Sequence, residues 1–178
     1  MPSSKSKRLH LTKPEKISRD HDVSAFDCGR ESLDDWLKHR ALKSGIAGDS
    51  RVYVICDDSA EVVGYYAVSA GSVCRDDAVG KLKRNAPDPI PMALIGRLAV
   101  REDLHGLGIG PALLRDAILR ISQASEQIGV KGILVHALDE EAAKFYTRMG
   151  FHPSPASDYH LMVSLKDIAA ELERGGTS

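Results

Sequence analysis

The stretch Leu98-Ala99-Val100-Arg101-Glu102-Asp103-Leu104-His105-Gly106-Leu107-Gly108-Ile109-Gly110-Pro111 constrains this chain more than any other. An apolar strand pattern runs into a glycine-rich turn, and the turn opens a helix. Glycine adopts positive φ without strain and lets a ligand approach where a Cβ would intervene. The first N–H groups of a helix have no intrahelical partner, and the macrodipole favours an anion there by about 0.3–1 kcal/mol. Pro111 suits the first helical turn, where a missing N–H leaves no bond unmade. These residues describe a phosphate cradle; the alternative is that Gly106–Gly110 is no more than a tight turn. Two common cradles fail on residues they require. A GxGxxG dinucleotide fingerprint finds Gly106 and Gly108 but meets Pro111 at its third glycine, and no acidic residue closes a second strand at the right distance. A P-loop ends in Gly-Lys-Ser/Thr, whereas Gly110 is followed by Pro111 and Ala112.

On either side of this turn the hydrophobic period changes repeatedly. Leu9–Ile17 alternates mildly and reads as a first strand. Glu31–Ser44 carries Leu33, Trp36, Leu37, Arg40 and Ala41 at helical spacing, with Gly45 ending it. Arg51–Cys56 and Val62–Val73 are β-rich runs joined by a loop of hairpin length. Arg75–Pro91 is polar and reads as a long surface loop with room for a short helix, followed by a strand over Met92–Val100. Ile109–Ile128 has a helical stripe at Leu113, Leu114, Ala117, Ile118 and Ile121, and Gly132–Leu138 is a buried strand. Glu140–Met149 is a helix closed by Gly150, and Tyr159–Leu165 a last strand. Hairpins in the first half and strand–helix–strand–helix in the second predict a mixed α/β layer structure around one sheet, with one parallel pair. We expect a single domain over residues 8–168, with residues 1–7 and 171–178 as flexible ends.

The formal net charge is −1, so any nucleic-acid contact has to come from a local basic patch. Cys28, Cys56 and Cys74 have no CxxC spacing, which suits a reducing compartment and three ordinary small side chains. The seven histidines (His10, His21, His39, His105, His136, His152 and His160) have no ligand spacing, so no metal is expected. His136, inside a strand pattern, reads as a hydrogen-bonded core residue. No apolar run approaches the roughly 20 residues that span a bilayer, and none follows Lys5, Lys7 and Arg8 as in a secretory signal. A cytoplasmic protein without membrane association is expected.

A second cluster, Asp139-x-x-Ala142-x-x-Phe145-Tyr146-x-x-x-Gly150-Phe151, follows a buried strand about 30 residues after the turn. Ala142, Phe145, Tyr146 and Met149 share a helical face. Phe145 reads as a core aromatic, whereas a tyrosine beside it needs a partner for its hydroxyl or a task. The two clusters at this separation resemble the GNAT N-acetyltransferase superfamily over Met92–Phe151. Its pattern is Gln/Arg-x-x-Gly-x-Gly/Ala after a strand, then Asn-x-x-Ala-x-x-Phe/Leu-Tyr-x-x-x-Gly-Phe. His105 stands where Gln or Arg is usual, and Asp139 where Asn is usual. The resemblance implies a mostly antiparallel sheet with a V-shaped opening and helices on both faces. It implies acetyl-CoA in the opening, its pantetheine arm along Leu98, Ala99 and Val100. The pyrophosphate would sit over His105–Pro111, on N–H groups including those of Gly106, Gly108, Ile109 and Gly110, with Asp139 and Phe145 beside the cofactor.

Phe26-x-Cys28-Gly29-x-x-x-Leu33-x-x-Trp36-Leu37, then Gly64–Val73, then Ile90-Pro91 leading to Gly96-Arg97-Leu98, are similar to the GNAT-type toxins of bacterial type II toxin–antitoxin modules. That likeness implies acetylation of the free α-amino group of aminoacyl-tRNA, which blocks translation. It implies a ribbon–helix–helix antitoxin that covers the active site and reaches operator DNA through the complex, and a homodimer would be ordinary for such a toxin. An α-amino group titrates near pH 8, so much of it is already neutral and direct transfer needs no strong base. N–H groups on Leu98–Val100 suit polarisation of the thioester carbonyl. Tyr146, with a phenol pKa near 10 against about 8.5 for a thiol, suits a general acid to the leaving sulfur, a role worth about 10²–10⁴-fold. Candidate tRNA contacts are Arg75, Lys81, Lys83 and Arg84 on the long loop and Arg97, which interrupts an apolar strand; Lys38, Arg40 and Lys43 form a second patch. The other readings are an acetyltransferase acting on a small amine or a protein N-terminus, and a non-catalytic acyl-CoA-binding module.

Overall fold

The structure, a computed structural model, describes residues 8–175. Its strands are β1 (Glu15–Lys16), β2 (Arg51–Cys56), β3 (Val62–Val73), β4 (Ile90–Val100), β5 (Gly132–His136), β6 (His152–Ser154) and β7 (Ser157–Ser164). Its helices are α1 (Glu31–His39), α2 (Ala41–Ala47), α3 (Gly80–Lys83), α4 (Ile109–Ala124), α5 (Glu140–Arg148) and α6 (Leu165–Gly175). All strands join one sheet in the order β1-β2-β3-β4-β5-β7-β6. Only β4 and β5 run parallel, with α4 as the crossover that a parallel pair needs.

Two adjacent residues on β3 show how the layers are held. Side chains alternate across a strand, so Tyr65 and Tyr66 face opposite ways. Tyr65 donates its hydroxyl to the Leu33 carbonyl in α1 at 2.7 Å, and Tyr66 donates to the Asp116 carboxylate in α4 at 2.6 Å. On the Tyr66 side, Leu113, Leu114, Ala117, Ile118 and Ile121 of α4 pack on Ile95, Ile133 and Val135. Tyr146 and Phe151 close this core from α5 and the chain beyond it. On the Tyr65 side, α1 and Phe26 cover Val52, Val54, Ala67 and Ala99, while Ala78 and Leu82 of the 74–89 loop cover Met92, Leu134 and Met162. Each buried Val, Leu, Ile or Met among them contributes about 1.5–3 kcal/mol.

The first strand is shorter than its pattern suggests. Thr12 and Ile17 donate backbone bonds to β2, but Pro14 between them has no N–H, so only Glu15–Lys16 form a ladder. The first helix is two: the backbone breaks at Arg40, Gly45 lies within α2, and Gly48 at φ +84 closes it. A further helix, α6, follows β7. The Ser164 hydroxyl accepts the Asp167 N–H at 3.1 Å, the geometry of a helix N-cap. Residues 171–175, expected to be loose, therefore continue that helix, while residues 1–7 and 176–178 lie outside the described residues.

The sheet forks at its centre. β4 and β5 are in register only from Met92↔Gly132 to Ile95↔Val135. At that point β4 bulges against β3, where Ala67 faces Arg97 and Val68 faces Ile95, so that Gly96 is the extra residue. Bulges bend a strand. From Gly96 to Val100 the β5-side edge of β4 has no strand partner, and the V-shaped opening expected from the motifs lies there.

Candidate active site

The cradle is built from two left-handed glycines. Gly106 and Gly108 both sit at φ +81, a conformation costing other residues roughly 1–2 kcal/mol. Gly108 is the N-cap of α4, without a side-chain cap. Among the described residues, the N–H groups of Gly106, Leu107, Gly108, Ile109 and Gly110 donate to no protein acceptor. A Cβ on Gly106 or Gly108 would meet nothing within 4 Å. Free amides, a helix N-terminus and open space above them fit a pyrophosphate. Gly108→Ala is expected to lower acetyl-CoA affinity about tenfold through backbone strain at the cradle. Gly48→Ala, at φ +84 and away from this turn, should leave affinity unchanged. Calorimetric titration of both variants checks this.

A groove of about 580 Å³ continues from the cradle along the open edge of β4. Leu98, Ala99, Val100, His105, Gly106, Gly108, Ile109, Gly110 and Pro111 line one wall, and Phe145 of α5 and Met149 at its C-cap the other. His105 donates Nε2–H to the Val100 carbonyl at 2.7 Å, so its side chain ties the turn to the strand. Asp139 does not line the groove. One carboxylate oxygen accepts the Ala142 N–H as the N-cap of α5, and the other pairs with Arg30 at 2.7 Å. Arg30 also reaches Glu141 at 3.0 Å, so a salt bridge missed from sequence joins the start of α1 to the start of α5. Its signal is weak, since Arg30 and Asp139 lie far apart in the chain.

Cys28 lines the groove, yet burial, and secondarily Asp34, push its thiol up to about 12. A thiol held protonated is a poor nucleophile, so the geometry does not favour a route through a cysteine.

Tyr146 is 5% exposed, its ring edge-on to Phe145 at 5.1 Å and to Phe151 at 5.7 Å. Its hydroxyl has no protein hydrogen bond, although no buried side-chain oxygen or nitrogen among the described residues lacks a partner. The phenol oxygen is therefore not sealed into the core. Burial of the ring raises the phenol above its ordinary range, so it stays protonated at any physiological pH. The arrangement is an uncommitted proton donor next to the groove-lining Phe145.

The expected basic patch divides. Arg75 donates to the Ala86 carbonyl at 2.6 Å and Lys81 pairs with Asp167 at 2.9 Å. Lys83 and Arg84 are exposed beside them. Arg97 lies over the Trp36 ring, 4.3 Å from its centre. His136 is not a core residue: it ends β5 in solvent, because the layer beneath the sheet stops at Leu134. No group of three or more His, Cys, Asp or Glu side chains among the described residues is placed to hold a metal, and none of the described helices is long and apolar enough to cross a membrane.

A forked sheet with an anion cradle at the base of its crossover helix suits a long ligand with a diphosphate head, as the motif resemblance implies. Residues 48–153 match the family model described as "Acetyltransferase (GNAT) domain". A relative in Mycobacterium tuberculosis described as a tRNA-acetylating toxin is 48% identical over 157 residues, 88% of this chain and 94% of that one. The solved structure of AtaT complexed with acetyl-methionyl-tRNAfMet superposes with a TM-score of 0.84 at 29% identity, covering 92% of this chain and 99% of that one. A tyrosine-to-phenylalanine mutant of AtaT, bound to the C-terminus of the antitoxin AtaR and acetyl-CoA, gives 0.77 at 29%, covering 91% and 98%. The chain belongs to the GNAT acetyltransferase family.

Proposed function

We propose that this chain is a toxin that acetylates the free α-amino group of aminoacyl-tRNA and so blocks translation. The observation that carries the reading is the 48% identity, over 88% of the chain, to a relative described as a tRNA-acetylating toxin. Acetyl-CoA supplies an activated thioester carbonyl and a thiol leaving group. The free N–H groups of Gly106, Gly108, Ile109 and Gly110 bind its pyrophosphate, and Pro111 continues the turn into α4 without adding a donor. The open edge at Leu98, Ala99 and Val100 pairs with the pantetheine arm and supplies N–H donors to the carbonyl oxygen. His105 and Asp139 act by bracing the two walls, and Phe145 packs against the arm. The neutral amine attacks the thioester carbonyl and the C–S bond breaks; Tyr146 gives its proton to the departing sulfur, and the proton lost by the amine passes through water to restore the phenol. Lys83, Arg84 and Arg97 take tRNA phosphates, with Arg75 and Lys81 contributing less because each is already engaged within the protein.

A cognate ribbon–helix–helix antitoxin covers the groove and reaches operator DNA through that complex, and the active form is a homodimer. In a cell-free translation extract, the protein with acetyl-CoA is expected to stop synthesis, and freshly charged tRNA to restore it transiently. Synthesis that continues unchanged would contradict the reading.

The attacking amine must be neutral, and an α-amino group titrates near 7.7–8.0. Because burial keeps Tyr146 protonated throughout this range, kcat/KM should rise with pH and level off above about 8. A profile falling from pH 7 to 9 would remove the direct-transfer mechanism.

A further inference from the structure

On the sheet face covered by α1 and by the 74–89 loop, two imidazoles lie in the open. His136 of β5 and His160 of β7 are directly paired across the strands, with ring centres 4.3 Å apart and planes 25° from parallel. They continue the row of Leu134 and Met162, which Ala78 and Leu82 cover, and beyond that cover both histidines are exposed. Arg97 stands on the same face across the fork, because its partner Ala67 packs in the α1 layer with Tyr65 and Ala99. Ile95↔Val135 is the last pair before the strands part. Arg97 and His136 thus occupy opposite arms just past the branch point.

The two arms differ in chemistry. The β5–β7 arm offers two mutually stacked imidazoles, exposed past the end of the apolar cover. The β4 arm carries Arg97, which makes no ion pair among the described residues and is destabilised as a cation, first by burial and then by the nearby charge of Arg40. A nucleotide complements both, with a base to stack and a phosphate for the guanidinium. The acceptor amine belongs to an amino acid esterified to the last ribose of tRNA. Its terminal base therefore lies only one amino acid and one sugar from the fork.

We propose that the stacked His136–His160 pair is the platform on which the terminal nucleobase of the tRNA acceptor end rests, with Arg97 on the facing arm holding the adjacent phosphate. This assignment rests on the aminoacyl-tRNA reading above and names the part of the site that recognises the nucleotide rather than the amine.

The test is steady-state acetylation of a charged tRNA pool with labelled acetyl-CoA. Replacing both histidines with alanine should raise KM for charged tRNA about tenfold, the loss of one stacked base, with the effect on KM rather than kcat. The double phenylalanine variant, which keeps two π faces, should stay within about threefold of wild type. Acetyl-CoA affinity, measured separately, reports folding, and His160→Ala alone serves if the double alanine variant does not fold. An unchanged KM in the alanine variant, equal losses in the alanine and phenylalanine variants, or a loss confined to kcat would each overturn the assignment. Wild-type protein that leaves charged tRNA unmodified would instead overturn the function reading, and this assignment with it.

Discussion

Tyr146→Phe should lower turnover by about 10²–10⁴-fold, the usual contribution of a positioned proton donor, while acetyl-CoA affinity and thermal stability stay near wild type. The structure separates these effects. The ring is held edge-on between Phe145 and Phe151, and phenylalanine keeps both packing contacts. The hydroxyl has no protein hydrogen bond, so its removal leaves no buried partner unsatisfied, the usual source of a large stability loss. Tyr146 is also absent from the residues lining the groove, so the donor's binding surface is untouched. Stopped-flow detection of free CoA, alongside titration of acetyl-CoA, measures both. A variant turning over at more than a tenth of the wild-type rate would mean that the thiolate leaves unaided.

The second large effect concerns stability. Gly132 opens β5 at the closed end of the fork, in register with Met92 on one side and Ser164 on the other. A Cβ there would lie 2.5 Å from the Val163 carbonyl oxygen and 2.8 Å from Leu82 Cδ2. The leucine can turn aside, but the carbonyl belongs to the ladder that holds β7. Gly132→Ala should therefore cost about 1–3 kcal/mol, as overpacking does in close-packed interiors. For a chain of this size that lowers the melting temperature by roughly 2–12 °C. Gly129→Ala, with nothing within 4 Å of its Cβ, should be neutral. Calorimetry of the two variants decides the matter, and equal melting temperatures would mean that β5 shifts without cost. Opening the fork at its root should also reduce acetyl-CoA binding, because the groove depends on how β4 diverges from β5.

Much of this layout was legible in the sequence, and for local reasons. Gly106 and Gly108 announced a left-handed turn because few other residues adopt positive φ without strain, and the stripe on α4 repeats at the helical period. The fork was legible only through the family resemblance. Its cause is Gly96, a bulge that appears once the β3 register is known. Features that depend on distant partners escaped. Arg30 has no local signal, and only the fold brings it to Asp139 and Glu141. His136 looked buried because it ends a run of Ile, Leu and Val, and nothing in that run reveals where the layer beneath it stops. The helix α6 did carry a signal in Ser164 and Asp167, but it follows a strand without a break, and the apolar pattern alone does not separate the two.

The proposed acceptor of the acetyl group is the α-amino group of an aminoacyl-tRNA. The most direct measurement incubates the protein with labelled acetyl-CoA and a charged tRNA pool, releases the amino acids by mild base, and identifies the labelled species by mass. N-acetyl amino acids from charged tRNA, absent with deacylated tRNA and with Tyr146→Phe, are the predicted result. Label on deacylated tRNA, or on small amines with none on charged tRNA, would contradict it.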